Sequence, residues 1–165
     1  MAARVVQLLN GSVSIAATRD LREMQGIHRH IFGDIFSWAG TIRITDLARA
    51  DNEPFCPVFL IERAAASVAQ QLSDDEHLKG LDHGAFVNKL SYYYNSVNYI
   101  HPFREGNGRT QREFLNRVAD SAGWFINWGA VYGDQLNETS RLARENLDLD
   151  PLIVMFRACV SPVAG

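Results

Sequence analysis

The feature that most limits how this chain can fold is a break between two helical patterns. From about His83 to Asn98, Phe86, Leu90, Tyr93, Tyr94 and Val97 recur at three- or four-residue spacing, which predicts a helix burying that face. Pro102 stops it, because the residue before a proline is pushed out of the helical region. Gly106-Asn107-Gly108 follows, the residue types that enter positive φ most easily. A second helix is then predicted from about Gly108 to Ala122. Phe114, Leu115, Val118 and Ala119 anchor it to a core, and Gly123 suits the position just past its end. A helix tip carrying a glycine turn is therefore expected after the loop His101–Gly106.

The remaining patterns extend this to one mostly helical unit covering residues 1–165. Leu21, Met24, Ile27 and Ile31 mark a helix over about Thr18–Phe32, with Thr18 as N-cap. Trp38-Ala39-Gly40 breaks it. The stretch 41–57 alternates loosely, contains the turn pair Asp51-Asn52, and carries Pro54 and Pro57, so it reads as a short hairpin or extended flap. Further helices are predicted at about Phe59–Leu72, from about Asp134, and from Pro151 as a first helical residue. Residues 73–82 read as a polar connector.

Charge and composition exclude several classes. A net charge of -3 argues against general binding to nucleic acid or an anionic membrane. No apolar run approaches the roughly 20 residues of a membrane span, and the N-terminus lacks a signal-peptide core. Cys56 and Cys159 have no zinc-ligand spacing and read as free thiols, so a cytoplasmic location is expected.

The segment 101–112, HPFREGNGRTQR, concentrates the chemistry. Successive backbone N–H groups in the glycine turn can form an anion nest. The first N–H groups of the following helix have no intrahelical partner, and the helix dipole favours negative charge there. Arg109 and Arg112 are three apart, on one face, and suit a polyphosphate lying between them. Glu105 would repel that anion unless a magnesium ion joined carboxylate and phosphate oxygens. His101, at the loop's mouth, is the side chain best suited to take a proton near neutral pH. Together these are the parts for phosphoryl or nucleotidyl transfer. There is no P-loop G-x-x-x-x-G-K-[ST], no three-glycine dinucleotide fingerprint and no G-x-S-x-G elbow. Taken singly, the same residues have plainer readings: a loop between helices and a solvated pair of arginines. His28 and His30, two apart on a helix, point to different sides and do not read as a metal pair. Trp38 reads as a core anchor beneath the flap, the tyrosines 92–94 as core and helix surface, and Glu145 as solvent-facing.

The same segment resembles the Fic signature H-x-F-x-[DE]-G-N-G-R-x-x-R at every fixed position. Ile35-Phe36-Ser37-Trp38-Ala39-Gly40 with Arg43, Pro54-Phe55 and Asp150-Pro151-Leu152 extend the resemblance over about residues 18–157. It implies an all-α domain with a short β-hairpin flap beside the active site. It also implies a protein adenylyltransferase, moving AMP from ATP to a Ser, Thr or Tyr hydroxyl of another protein. In that family's terms His101 is the general base and Phe103 supports the loop. Glu105 holds Mg2+, and Gly106, Asn107 and Gly108 form the anion hole. Arg109 and Arg112 bind the phosphates, Arg112 at the far end. The flap, about Ala50, Asp51, Asn52 and Phe55, pairs with the target as an added strand. Gly108 departs from the kinase branch, which has Lys there.

No inhibitory [ST]-x-x-x-E-[GN] match is present, since Ser140 and Glu145 are one residue too far apart, and the chain starts too close to the core for an N-terminal version. The resemblance is therefore to the compact toxin branch held by a small antitoxin that presents a glutamate to Arg112, with gyrase B or the topoisomerase IV E subunit as target. The adenine pocket stays unassigned, because the helix of Asn137–Asn146 offers no alignable aromatic. Kinase or phosphocholine transfer on the same fold, and a non-catalytic binding module, stay open as alternatives.

Overall fold

A computed structural model describes residues 2–9, 12–49, 53–131 and 133–163. Its helices are α1 (Ala2–Leu9), α2 (Leu21–Phe32), α3 (Ile61–Asp74), α4 (His83–Ile100), α5 (Asn107–Ser121), α6 (Gly133–Glu145) and α7 (Asp150–Cys159). Two three-residue strands, β1 (Trp124–Ile126) and β2 (Val160–Pro162), pair antiparallel with Ile126 opposite Val160. The expected mostly helical architecture is therefore present.

α4 is the axle of the fold. It buries Phe86, Val87, Leu90, Tyr93, Tyr94, Val97 and Ile100, and α3, α5, α6 and α7 all pack against it. Side chains of this kind each stabilise by roughly 1.5–3 kcal/mol when fully buried, so this helix is firmly anchored. Asp82 caps its start by accepting from the Ala85 N–H at 2.8 Å. α5 lies across α4 and α2 with Phe114, Leu115, Val118 and Ala119 buried, as their spacing predicts. Gln111 adds a polar tie, donating from Nε2 to the Tyr94 carbonyl at 2.7 Å.

α2 is held to α5 by charge as well as by apolar packing. Glu23 is buried and accepts from Arg117 Nε at 2.6 Å and from the Arg19 N–H at 2.7 Å. Arg117 also donates to the Ile15 carbonyl at 2.7 Å.

Several boundaries differ from those expected. The N-cap of α2 is Asp20, which accepts from the Arg22 and Glu23 N–H groups; Thr18 instead donates its hydroxyl to Asp20. A carboxylate near the helix dipole outcompetes the hydroxyl two residues earlier. Pro151 is the second residue of α7 rather than the first. α1, β1 and β2 were not anticipated. The connector contains a left-handed turn, with φ of 51°, 55° and 64° at Glu76, His77 and Leu78. Tyr93 and Tyr94 are core and Tyr92 is partly exposed, as expected, and both cysteines are free and buried. Glu145 is exposed but pairs with Arg141. Among the described residues, no helix is long and apolar enough to cross a membrane.

Candidate active site

The site forms where α4 ends and α5 begins. His101 is the C-cap of α4 in a left-handed conformation, φ 45° and ψ 60°, with its N–H donating to the Val97 carbonyl at 3.2 Å. That conformation costs a non-glycine residue about 1 kcal/mol or more and persists only if neighbours enforce it. Arg43 is the chief of them. Its guanidinium, 1% exposed, donates to the carbonyls of His101 at 2.8 Å, Thr45 at 2.9 Å and Cys56, and reaches that of Ile100 at 3.5 Å. Its own N–H donates to the Pro102 carbonyl at 2.9 Å. One cation thus serves the carbonyls of Ile100 and His101 at the C-terminus of α4, where positive charge is favoured, and ties the roots of the flap to the same point.

The turn that follows is over-determined too. Asn107, buried at the start of α5, accepts from the Phe103 N–H at 2.9 Å and donates to the Phe103 carbonyl at 2.7 Å. Its side chain is spent on the loop, so what it can offer an anion is its backbone N–H. Phe103 is fully buried and stacks on His28, centroids 4.1 Å apart. His28 in turn accepts from the Gly40 N–H through Nδ1 at 2.8 Å and meets the Glu105 carbonyl through Nε2 at 2.9 Å. That pairing makes it a neutral histidine with the proton on Nε2; burial lowers its pKa in the same sense. It is a strut between the segment of residues 33–40 and the loop. Trp38 is half-buried, stacked on Phe36 and, at 5.8 Å, on His28, with Arg104 over its ring. These partners tie it to the strut.

Gly106 has φ 82°, and a Cβ there would lie 2.5 Å from the Phe32 ring. Only glycine fits both conditions. At Gly108 nothing lies within 4 Å of the corresponding position, so the tip of α5 is open above that residue. The Thr110 N–H returns to the Gly106 carbonyl, so the N–H groups of Asn107 and Gly108 lie ahead of the first intrahelical bond, at the tip of the helix. Arg109 is exposed and Arg112 half-buried on the same helix. Glu105 is exposed, with Oε1 accepting from the Gly106 N–H at 3.1 Å.

The electrostatics of His101 keep its imidazole unprotonated. Burial, with Arg49, Arg43 and Arg144 nearby, pushes its pKa down to about 4 against a weaker pull from the Asn98 backbone. Its Nδ1 is buried without a partner at hydrogen-bonding geometry. The imidazole is therefore neutral at pH 7 and able to accept a proton. The Phe55 ring stacks on it, centroids 3.7 Å apart, and the Arg49 guanidinium lies 4.4 Å from the centre of the Phe55 ring.

The flap is a hairpin bridged at Ala48 and Pro54, with the Arg49 N–H donating to the Glu53 carbonyl and the Phe55 N–H to the Leu47 carbonyl, each at 3.0 Å. Phe55, expected in a docking role, turns its ring inward. Ala50, Asp51 and Asn52 lie outside the described residues. His101, Glu105, Gly106, Asn107, Gly108, Arg109 and Arg112 are thus brought together with Phe55, and Phe103 supports them. Reasoning from the sequence missed the roles of His28, Glu53, Arg49 and Arg144, and had Arg43 only as part of a resemblance. No local sequence signal marks the contacts of Arg43, which are made to carbonyls up to 58 residues away.

Magnesium fits this arrangement in one way. Among the described residues no group of three or more His, Cys, Asp and Glu side chains could hold a metal. Glu105 alone offers a carboxylate at the tip, so a bound ion would depend on phosphate oxygens and water for its other ligands, which is magnesium's habit.

Comparison with known proteins gives a consistent result. The Fic/DOC family matches residues 18–119. The protein adenylyltransferase VbhT of Bartonella schoenbuchensis is 42% identical over 130 residues, covering 79% of this chain and 27% of VbhT. The probable protein adenylyltransferase Fic of Escherichia coli K12 is 35% identical over 143 residues, covering 87% of this chain and 70% of that protein. The chain thus spans about a quarter of one relative and over two thirds of the other. BepC of Bartonella tribocorum, solved with bound AMPPNP, superposes with a TM-score of 0.86 at 22% identity over 99% of this chain and 85% of that one, which establishes the fold.

Proposed function

We propose that this chain, which belongs to the Fic/DOC family, is a protein adenylyltransferase that transfers AMP from ATP to a hydroxyl of another protein. The observation that carries the reading is the placement of a neutral His101 beside the open, glycine-capped start of α5.

The triphosphate would lie along the first turn of α5, on the N–H groups of Asn107 and Gly108, with the side chains of Arg109 and Arg112 on its flank. Each charge-assisted contact contributes roughly 1.5–3 kcal/mol. The target hydroxyl would enter beside the flap and give its proton to His101 as its oxygen forms a bond to the α-phosphorus. The bond from that phosphorus to the bridging oxygen breaks, and pyrophosphate leaves. Mg2+ held by Glu105 would neutralise charge on the phosphates when bound. The left-handed backbone at His101 aims the imidazole at this point, and Arg43 keeps it there.

The target and regulator belong to the same proposal. In this reading a separate small antitoxin offers a glutamate to Arg112, and the chain is a cytoplasmic toxin acting on gyrase B or the topoisomerase IV E subunit.

The test is His101→Ala. It should lower AMP transfer at least about 100-fold while ATP still binds, with intact-protein mass spectrometry reporting whether the adduct is AMP, phosphate or phosphocholine. A variant that labels its target at the wild-type rate would remove His101 from the mechanism.

A further inference from the structure

We propose that Arg144 is a positioning residue for the transfer reaction: by its ion pair with Glu53 it pins the flap to α6 and keeps the Phe55 ring on His101. This rests on the reading of His101 as the base.

A two-stranded hairpin is marginal in water without outside support, and this flap has one bridge among the described residues. Arg43 holds its roots. Toward the other end, Arg144 Nε donates to Glu53 Oε2 at 2.8 Å. The Arg144 side chain is only 8% exposed, against 31% for Glu53, so the pair is shielded from the screening that makes surface pairs weak. Arg144 is itself fixed. Its Nη1 donates to the Ser140 carbonyl at 2.7 Å, and the Ser140 hydroxyl lies 3.3 Å from the Tyr94 hydroxyl on α4. From Glu53 the linkage runs inward. The Glu53 carboxylate is 4.0 Å from Arg49 Nε, Arg49 covers Phe55, and Phe55 covers His101. A side chain on α6 is thereby joined to the imidazole without touching it.

The consequence is kinetic. A flap pinned in place presents its strand to a target without an ordering cost; a loosened one must be ordered at each encounter. Glu53→Gln and Arg144→Met should each speed amide hydrogen exchange at Arg49 and Phe55 about tenfold. Each should also raise KM for the protein target about tenfold, with KM for ATP unchanged within twofold. The double variant Glu53→Gln with Arg144→Met should lose no more than the larger single loss, because each change removes the same pair. A purely structural role would lower Tm, move both KM values and give losses that add in the double variant. Unchanged exchange in both single variants overturns the proposal, as does faster exchange with an unchanged target KM, or double-variant losses equal to the sum of the single ones. If the wild-type chain transfers no AMP at all, the adenylyltransferase reading fails, and the exchange measurement still decides whether the pin exists.

Discussion

Replacing Arg43 by Met tests the claim that one buried cation holds the catalytic histidine in its left-handed turn. Methionine has a similar reach but no donors. The substitution strips hydrogen bonds from the carbonyls of His101, Thr45 and Cys56, and a long contact from Ile100. A buried carbonyl left without a partner costs about 1–3 kcal/mol. Two effects reduce the total: water can reach the outer carbonyls, and the guanidinium no longer has to be desolvated, a burden visible in its lowered pKa. With three carbonyls deprived and those two offsets, the net loss should be about 3–5 kcal/mol. For a chain of this size that corresponds to a fall in Tm of roughly 10 °C or more. Urea denaturation at 25 °C gives the free energy, and AMP transfer at a temperature where the variant stays folded gives the kinetic effect, a loss of at least about tenfold as His101 relaxes. Arg43→Lys keeps the charge without the planar fork and should recover less than half of each loss. A stability loss below about 1 kcal/mol, or an unimpaired transfer rate in the folded variant, would refute the reasoning.

Three other outcomes follow from the same geometry. Gly106→Ala places a methyl against the Phe32 ring at a positive φ, and should cost about 2–4 kcal/mol in chemical denaturation. Because the native His101 pKa is about 4 and an unfolded histidine titrates near 6.5, the unfolded chain takes up a proton that the native chain refuses as pH falls between those values. Stability should drop by about 2 kcal/mol from pH 7 to pH 5 on this account, and His101→Asn should remove that part of the slope; the histidine limb of kcat/KM should appear near pH 4 rather than 6.5. Glu23→Gln leaves Arg117 without its carboxylate between α2 and α5 and should cost about 3 kcal/mol, read by thermal melting.

The helices were legible because their apolar faces repeat over many residues. The stripes of α2, α4 and α5 recur over three turns or more, and the structure places them within a few residues of where spacing predicts. α1, β1 and β2 were not legible. A lone eight-residue helix carries little pattern, and three-residue strands such as Trp124–Ile126 are shorter than any alternation can reveal. The N-cap of α2 was misread because Thr18 and Asp20 both suit that role, and their choice depends on where the helix starts. The site residues of the loop were legible for a different reason: positive φ, helix-tip N–H groups and a charged face all fall within one short run.

What the sequence determined by itself was the chemistry at the tip of α5, since a histidine, a carboxylate, a Gly-Asn-Gly turn and two arginines in one segment must meet wherever the chain goes. Only the tertiary structure decided what aims and guards that chemistry. The contacts that Arg43, His28, Glu53 and Arg144 make here span between 12 and 91 residues of sequence. Their partners are backbone carbonyls and side chains brought close by packing against α4, and no local pattern records a contact made across the core.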